Sequence, residues 1–375
     1  MTWSLRRIIY SSMILVVKLI QDNVLERLLK VSLWRGCGLV LLSALLLSGC
    51  DRGPEIVKIS GTKMGTTYHI TVVADQPAPD NLAVLIEAEL DRVDHSMSTY
   101  KPNSEINRFN QLTVNQSMTV SLEFFEVLTI AQSVWLNSDG ALDPSVGPLV
   151  DLWGFGPSLT EDQIPSEKQI ANALATVGFD SVIIDSSDQS IIKTRPVVID
   201  LSAVAKGYAV DLVADLLEMN ALPDYLIEVG GETRVSGLNP QGKPWRLAIE
   251  SPLLIGQVET VLALTSGAVA TSGDYRNYFE RDGIRYSHII DPRDGKPIIH
   301  TLASVTVLAD TCAEADAWAT ALLVLGNKEG LDLANQLGLA VYLLARDGDE
   351  YTASYSKMFE PYLVEITEQT ASVES

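Results

Sequence analysis

The chain has 375 residues, of which 47% are apolar, so it can bury a large core as one domain or two. Its formal net charge is −21, and beyond residue 50 only 21 basic residues face 46 acidic ones. A surface this acidic repels nucleic acid and anionic lipid through its general field, so we expect no nucleic-acid partner.

The first 50 residues predict a leader that directs the chain to a membrane. Lys30 and Arg35 precede an apolar run, Gly38 to Leu47, which is too short to span a bilayer comfortably. The run ends in "LLSGC", which resembles a bacterial lipobox and implies that Cys50 carries lipid and begins the mature chain. Asp51 resembles the signal that retains such lipoproteins in the inner membrane, on the periplasmic side. An ordinary cleaved signal peptide with a chance cysteine is the alternative.

Residues 51–375 form the predicted catalytic domain, and its first half contains strands and two amphipathic helices. "ITVVAD" has the apolar character of a strand, and the apolar residues of "LAVLIEAELDRVD" recur at helical spacing. A second helix, "LEFFEVLTIAQSVWLN", is closed by Gly140. Farther along, "VVID" predicts a buried strand that ends at Asp200.

The second half alternates helices and short strands irregularly. "YAVDLVADLLE" predicts a helix that begins near Lys206, "YLIEVGG" a strand that runs into a Gly-Gly turn, and "EADAWATALLVLG" a helix with Gly326 as its C-cap. This order favours an α+β fold with mixed or antiparallel sheets flanked by helices, as one compact catalytic unit from about residue 55 to 365. Two lobes are an alternative, and residues 366–375 are expected to be a frayed tail.

The segment "DLSAVAKGYAVD", Asp200 to Asp211, suits a phosphate-binding site. A strand that ends in an acid is followed by small residues and the start of a helix, where backbone N–H groups and Lys206 would face a phosphate. Asp200 would accept a hydrogen bond from a base or a sugar hydroxyl. The alternative is an N-cap aspartate beside a solvated lysine.

A possible metal site lies on the last predicted helix. Asp316 and Thr320 are four residues apart, so they lie one above the other on the same face. A carboxylate and a hydroxyl in this arrangement suit a hard cation such as Mg²⁺, which prefers oxygen ligands. The alternative is a helix whose aspartate bonds a neighbouring loop. Cys312, the one cysteine beyond Cys50, is predicted to be a small buried hydrophobe.

Two loops and one histidine complete the candidate site. The loop Asp139–Pro157 is dense in glycine, proline and aromatic residues and would let a flat ligand approach the backbone, while Tyr100 offers a stacking ring. Both loops fit equally well as rigid surface segments. His288, in "RYSHIIDPRDGKPI", stands at the mouth of a polar turn, either as a packing residue or as a base. The GxGxxG, Walker A, GxSxG, HExxH and CxxC motifs are missing, so the standard dinucleotide, serine-hydrolase, zinc-protease and dithiol classes lose their usual signatures.

Taken together, these segments resemble one family, the ApbE-type FAD:protein FMN transferases, over essentially the whole mature chain. The resemblance rests on eight segments in order: "KMGTTY", "STYKPNSEINRFN", "GALDPSVGPLVDLWGFG", "DLSAVAKGYAVD", "YLIEVGGE", "ATSGDYRNYF", "YSHIIDPRDGKPI" and "EADAWATALLVLG". It implies an enzyme that splits FAD in the presence of Mg²⁺, attaches FMN through its phosphate to a threonine or serine hydroxyl of a flavoprotein, and releases AMP. The implied acceptors are membrane redox subunits of the NqrB/NqrC type, from Na⁺-pumping quinone reductases, or of the RnfG/RnfD type.

The resemblance also implies a role for individual residues. His288 matches the histidine that takes the proton from the acceptor hydroxyl, and an imidazole with an ordinary pKa near 6.5 suits that task. The metal ligands would be Asp316, Thr320 and the backbone carbonyl of Ala203. Some members carry Glu where this chain has Lys206, which leaves the detail of that FAD contact open. The positions that match the FAD site are Met64, Tyr100, Ala141, Leu142, Asp143, Asp200, Lys206 and Ile290.

Two other functions use the same residues. A Mg²⁺-dependent pyrophosphatase would hydrolyse FAD to FMN and AMP, with water in place of the acceptor hydroxyl. A non-enzymatic lipoprotein would only store or carry flavin, and it would not need His288 or Asp316.

Overall fold

A computed structural model describes residues 53–156, 164–252, 258–275, 278–281, 284–348 and 350–363. The predicted leader with Cys50, and the predicted tail 366–375, lie outside the described residues. In the described part of the chain, no helix is both long enough and apolar enough to cross a membrane.

An eight-stranded sheet is the centre of the fold. Its strand order is β1-β2-β6-β7-β10-β15-β16-β17, and every strand pair among the described residues is antiparallel. Four smaller sheets have the orders β3-β5-β4, β8-β9, β11-β12 and β13-β14. The strands are β1 (Glu55–Lys63), β2 (Thr66–Ala74), β3 (Ser117–Thr119), β4 (Val182–Asp185), β5 (Ser190–Lys193), β6 (Asp224–Val229), β7 (Glu232–Ser236), β8 (Trp245–Glu250), β9 (Val258–Leu264), β10 (Ser266–Gly273), β11 (Tyr278–Arg281), β12 (Ile284–Ser287), β13 (Ile290–Asp291), β14 (Lys296–Pro297), β15 (Leu302–Ala309), β16 (Ala340–Asp347) and β17 (Glu350–Tyr355).

Helices cover one face of this sheet, and a hairpin covers part of the other. Successive residues of a strand point to opposite faces, and Val72 accordingly joins the core under the helices while Val73 packs against the hairpin β8–β9. The helices together with the large antiparallel sheet confirm the α+β fold class. Residues from Pro54 onward form one compact unit. The helices are α1 (Leu82–Met97), α2 (Glu105–Gln111), α3 (Leu122–Asn137), α4 (Gly147–Leu152), α5 (Glu167–Leu174), α6 (Ser202–Met219) and α7 (Cys312–Leu337), with 3₁₀ turns at Phe179–Ser181 and Glu360–Tyr362.

Two local predictions were wrong. The segment "VVID" forms no strand, because the side chain of Asn110 exchanges hydrogen bonds of 2.8 and 2.9 Å with the backbone of Ile199 in place of a neighbouring strand. Helix α6 begins at Ser202, so Lys206 lies in its second turn and not at its start. Gly326, with φ 81° and ψ 177°, ends the first helical segment of α7 as predicted, and a second segment follows it and ends before Gly338, which adopts a left-handed conformation.

The close crossing of α6 and α7 depends on one glycine. A Cβ at Gly207 would lie 2.3 Å from the backbone oxygen of Cys312. Only a residue without a side chain allows this approach. The crossing brings the first turns of α6 next to the first turns of α7, where the predicted metal ligands lie.

Replacing Gly207 by alanine is therefore expected to lower the free energy of unfolding by about 1–3 kcal/mol through overpacking. The better helix propensity of alanine returns only about 0.5–1 kcal/mol, and the clashing backbone oxygen of Cys312 cannot rotate away. Urea denaturation measures the loss. Gly147→Ala is the matched control, because its Cβ would come no closer than 3.9 Å to Val198. Equal stabilities for the two variants would contradict the prediction.

Candidate active site

One cavity of about 1100 Å³ collects nearly all the residues that the sequence singled out. It is lined by the start of α6, by the loop before α4, by β10 and the hairpin β8–β9, and by the segment that carries His288. Of the twelve predicted FAD, metal and catalytic residues, eleven line this cavity: Tyr100, Ala141, Leu142, Asp143, Asp200, Ala203, Lys206, His288, Ile290, Asp316 and Thr320.

Met64 is the exception. It forms the turn between β1 and β2 with a positive φ of 53° and packs, half-buried, against the main core. It is not among the residues that line the cavity. The turn lies near the cavity wall all the same, since a Cβ on Gly230 would come within 2.9 Å of Thr66.

The loop before α4 is held in place by a buried aspartate. The carboxylate of Asp143 accepts hydrogen bonds from the backbone N–H of Ser145 at 2.7 Å, from the hydroxyl of Ser145 and from the N–H of Phe179 at 3.2 Å. Both carboxylate oxygens are thus used within the protein. The adjacent Ala141 and Leu142 therefore present backbone and apolar surface to the cavity, while Tyr100, with 73% of its surface exposed, stands at the rim.

Asp200 lies one residue before the N-cap of α6, which is Leu201 and makes no side-chain cap hydrogen bond, so the N-cap interpretation of Asp200 is wrong. Its Oδ1 accepts from the N–H of Ser202 at 2.7 Å, and its own N–H donates to the carbonyl of Pro144 at 2.7 Å. These bonds form a local side-chain turn and fix Asp200 at the cavity wall next to the loop of Ala141.

A cluster of three charged side chains, two buried carboxylates and a partly exposed lysine, lies where α6, α7 and β7 meet. The ammonium of Lys206 forms a short ion pair with Oε1 of Glu232 and lies 3.9 Å from Oδ2 of Asp316. Burial lowers the pKa of Lys206, but the two carboxylates outweigh burial and raise it well above the usual value. Burial raises the pKa of the Glu232 carboxyl, with Asp316 adding to the rise and Lys206 opposing it, and burial likewise raises the pKa of Asp316.

Sequence reasoning missed Glu232. Its Oε2 is buried and has no hydrogen-bond partner among the described residues. A buried acceptor without a donor is costly, so such an atom is rare away from functional sites. The only sequence signal is an acid directly after the Gly-Gly turn.

The predicted metal ligands offer oxygen atoms on two adjacent helices. Asp316 and Thr320 lie one turn apart on α7, and the Thr320 hydroxyl is 3.0 Å from the hydroxyl of Ser272 on β10. The N–H of Gly207, one turn after Ala203 on α6, donates to Oδ2 of Asp316 at 3.2 Å. A backbone carbonyl oxygen has two lone pairs, so the Ala203 carbonyl can accept a partner in addition to its helical one.

This donor set fits a hard divalent cation. A carboxylate, a hydroxyl and a backbone carbonyl are the oxygen ligands that Mg²⁺ accepts, with room left for water or phosphate. Within the described ranges, no three His, Cys, Asp or Glu side chains cluster as a metal site would require. A cation in this cavity would thus depend on the hydroxyl and the carbonyl as well as on Asp316.

His288 lines the cavity at the end of a row of aromatic rings. Its ring is 6.3 Å from that of Phe155 in an edge-to-face arrangement. Phe155 stacks on Phe279 at 5.6 Å, Phe279 on Tyr286 at 5.0 Å, and Tyr286 on Trp153 at 5.8 Å. Such pairs restrict ring orientation beyond what burial does. The half-buried imidazole is therefore held by a rigid wall while it faces the cavity.

The turn after His288 explains the remaining residues of that segment. Gly295 has φ 74° and donates its N–H to the carbonyl of Asp291, while the indole N–H of Trp153 donates to the carbonyl of Gly295 at 2.9 Å. A Cβ at Gly295 would press on Leu149 at 3.0 Å. The turn fixes the short strand β13, from which Ile290 enters the cavity.

The protein-family comparison decides the relationship. The model of the ApbE family matches residues 64–343, which include every predicted FAD, metal and catalytic residue. This chain belongs to the ApbE family. Bacterial members of the family match most of its length. A Vibrio cholerae protein named FAD:protein FMN transferase is 41% identical over 86% of this chain and 97% of its own, and a Haemophilus influenzae protein of the same name is 43% identical over 84% and 94%.

Solved structures of ApbE proteins have the same fold. The flavin transferase ApbE from Vibrio cholerae superposes with a TM-score of 0.78 at 39% identity, covering 83% of this chain and 100% of that one. The flavinyl transferase ApbE of Pseudomonas stutzeri, in its apo form, gives a TM-score of 0.78 at 37% identity, with coverages of 84% and 99%. The ApbE fold of this chain is therefore complete over its described residues.

Proposed function

We propose that the chain is an FAD:protein FMN transferase that moves FMN from FAD, with Mg²⁺, to a threonine or serine hydroxyl of a flavoprotein. The observation that carries the proposal is the convergence of eleven predicted residues, from five separate stretches of sequence, on one cavity. Its volume of about 1100 Å³ exceeds the roughly 300–1,000 Å³ of pockets for drug-sized ligands, as a dinucleotide requires. The names of the ApbE relatives support the same activity.

The reaction needs a base, a charge clamp (positive groups that neutralise the phosphate oxygens) and an in-line arrangement of the attacking and leaving oxygens. His288 takes the proton of the acceptor hydroxyl, whose oxygen forms a bond to the phosphorus on the FMN side of FAD. The bond from that phosphorus to the bridging oxygen breaks, and the electron pair leaves with AMP. Phosphoryl transfer depends on positioning and charge neutralisation more than on covalent help from the protein.

The charge clamp would be built on α6 and α7. Asp316, Thr320 and the Ala203 carbonyl would hold Mg²⁺, which when bound neutralises the charge that develops on the phosphate oxygens. Lys206 adds a fixed positive charge in the same wall. Tyr100 at the rim, the backbone of Ala141 and Leu142, and Ile290 would enclose the flat parts of FAD, with Asp200 as a hydrogen-bond acceptor.

The proposed location is the periplasmic side of the inner membrane, through a lipid on Cys50. The lipobox-like "LLSGC" and the following Asp51 support it. Acceptors of the NqrB/NqrC or RnfG/RnfD type are membrane redox subunits, so a lipid-anchored transferase and its acceptor would diffuse in the same membrane. Metabolic labelling with a fatty-acid analogue tests the anchor. Label in the wild-type protein that is absent from Cys50→Ser supports it, and an unlabelled wild-type protein would refute it.

The transfer reaction is tested with the full-length protein in mild detergent, FAD, Mg²⁺ and a redox-subunit domain that carries a candidate acceptor threonine. We expect the intact mass of the acceptor to rise by one FMN, and we expect EDTA or an acceptor Thr→Ala change to abolish the gain. Free FMN and AMP without a mass gain, across several acceptors, would favour the pyrophosphatase. Unchanged FAD under all conditions would favour the flavin carrier.

A further inference from the structure

The cluster of Lys206, Glu232 and Asp316 contains one positive charge and two carboxylates. Lys206 is within ion-pair distance of both carboxylates, but it contacts Oε1 of Glu232 directly and remains 3.9 Å from Asp316. Glu232 has only 4% of its surface exposed and Asp316 only 3%. Little solvent surrounds these carboxylates to screen their charges. The carboxylate that pairs with the Lys206 ammonium is therefore neutralised, and the other one remains able to attract a cation.

We propose that Glu232 is a positioning residue that holds the ammonium of Lys206 away from Asp316 and so keeps the Asp316 carboxylate free to bind a divalent cation. The proposal rests on the proposed function in one respect, the assignment of Asp316 as a cation ligand. It assigns Glu232, which makes no predicted contact with FAD, a task in the same wall of the cavity.

Three observations support this division of labour. Glu232 lies at the first position of β7, directly after the turn of Gly230 and Gly231, so its backbone is fixed by the central sheet. A Cβ on Gly230 would be 3.4 Å from the side chain of Lys206, so the turn also confines the lysine stem. The third is the pairing of Asp316 Oδ2 with the N–H of Gly207, a neutral donor, where a nearby ammonium would otherwise compete.

The charge balance explains why the arrangement is useful. A direct ion pair between Lys206 and Asp316 would neutralise the carboxylate, and a divalent cation would then have to displace an ammonium in a low-dielectric site. The cluster has one net negative charge whichever carboxylate pairs with the ammonium, and with Glu232 as the partner of Lys206 this charge stays on Asp316, on the same helix face as Thr320. Oε2 of Glu232, which lacks a partner among the described residues, can accept from a water of an incoming cation.

The test is Mn²⁺ binding to the full-length protein without FAD, followed by the electron paramagnetic resonance of free Mn²⁺. Glu232→Gln keeps the size of the side chain and removes its charge, so Lys206 is left with Asp316 as its only carboxylate. We expect about 10–100-fold weaker Mn²⁺ binding, the usual loss for an outer-shell partner of a metal ligand. Lys206→Met is expected to bind Mn²⁺ more tightly than the wild type, and the double variant is expected to recover the wild-type affinity.

The two single variants are expected to change the Mn²⁺ affinity in opposite directions, and this difference distinguishes a positioning role of Glu232 from a structural one. If the Lys206–Glu232 pair only stabilises the wall, both single variants weaken Mn²⁺ binding and the double variant recovers nothing, which would overturn the proposal. Should Glu232→Gln fail to fold by circular dichroism, Lys206→Met decides alone, since weaker binding in it refutes the idea. Asp332→Asn, which breaks the exposed ion pair of Lys328 and Asp332, two residues that do not line the cavity, is the matched control and should leave Mn²⁺ binding unchanged.

The variant Asp316→Asn shows whether the cation assignment of Asp316 is wrong or only the role assigned to Glu232. Wild-type Mn²⁺ affinity in Asp316→Asn would reject the cation assignment of the proposed function, and the role of Glu232 would fall with it. Weak binding in Asp316→Asn together with wild-type binding in Glu232→Gln would reject the role of Glu232 alone.

Discussion

His288→Ala is expected to reduce the rate of FMN transfer by about 10²–10⁴-fold, the usual contribution of a general base, while FAD binding stays close to that of the wild type. The imidazole lines the same cavity as the predicted metal ligands, and His288 is the one histidine among the described residues that does so. Its ring contacts Phe155 edge-on, so removing it leaves the aromatic row from Phe155 to Trp153 in place. The loss should therefore appear in the chemical step and not in the stability of the fold.

Single-turnover transfer, followed by intact mass of the acceptor, measures the rate, and quenching of flavin fluorescence measures FAD binding. His95→Ala is the matched control, because His95 is exposed on α1 and bonds the carbonyl of Asp91. A His288→Ala variant that transfers FMN at the wild-type rate would reject His288 as the base. A variant that loses FAD binding and transfer in equal proportion would assign His288 to binding.

The second large effect is expected at the proposed metal site. Asp316→Asn should lower transfer by roughly 10²–10³-fold, because a divalent cation contributes several kcal/mol of charge stabilisation to such a transition state, and should shift the Mg²⁺ titration to higher concentration. Asparagine keeps an oxygen that can accept from the N–H of Gly207, so the contact between α6 and α7 survives. The variant therefore tests the charge and not the packing.

The measurement is the transfer rate as a function of Mg²⁺ concentration, with urea denaturation as the check on folding. Asp332→Asn is a control on the same helix, since Asp332 forms an exposed ion pair with Lys328. An unchanged Mg²⁺ titration in Asp316→Asn would exclude Asp316 as a ligand, whatever happened to the rate.

Helices with clear apolar spacing were the most predictable part of the fold. The apolar stripe of "LAVLIEAELDRVD" predicts α1, and Leu82, Ile86, Leu90 and Val93 are indeed buried. The segment "VVID" has the apolar content of a strand, but a side chain, that of Asn110, satisfies its backbone. Gly326 does end a helical segment, as its sequence position predicts, but a second segment follows directly and packs into the core through Ala334, which the local pattern did not predict. Local pattern cannot separate these cases, since the deciding partners are distant in sequence.

The candidate site likewise contains residues that the sequence predicts and one that only the structure reveals. Residues in dense motifs, such as Asp200, His288 and Asp316, were identified from sequence, and the structure brings them to one cavity. The family pattern also included Met64, which forms a turn beside the cavity. Glu232 was missed because nothing within its own strand distinguishes it. Only the meeting of β7 with α6, which puts Lys206 and Glu232 in contact, makes it a candidate.

The junction of α6 and α7 gives the site a reporter that does not depend on catalysis. Asp211 on α6 accepts from the N–H groups of Cys312 and Ala313, the first two residues of α7, at 2.9 Å each. These amides are shielded only while the two helices stay together, so their exchange with deuterium follows the separation of α6 from α7. Because Ala203 lies on one helix and Asp316 on the other, slow exchange at Cys312 and Ala313 shows that both halves of the site are assembled. Deuterium uptake at two backbone positions can therefore separate a variant with impaired chemistry from one whose site no longer assembles.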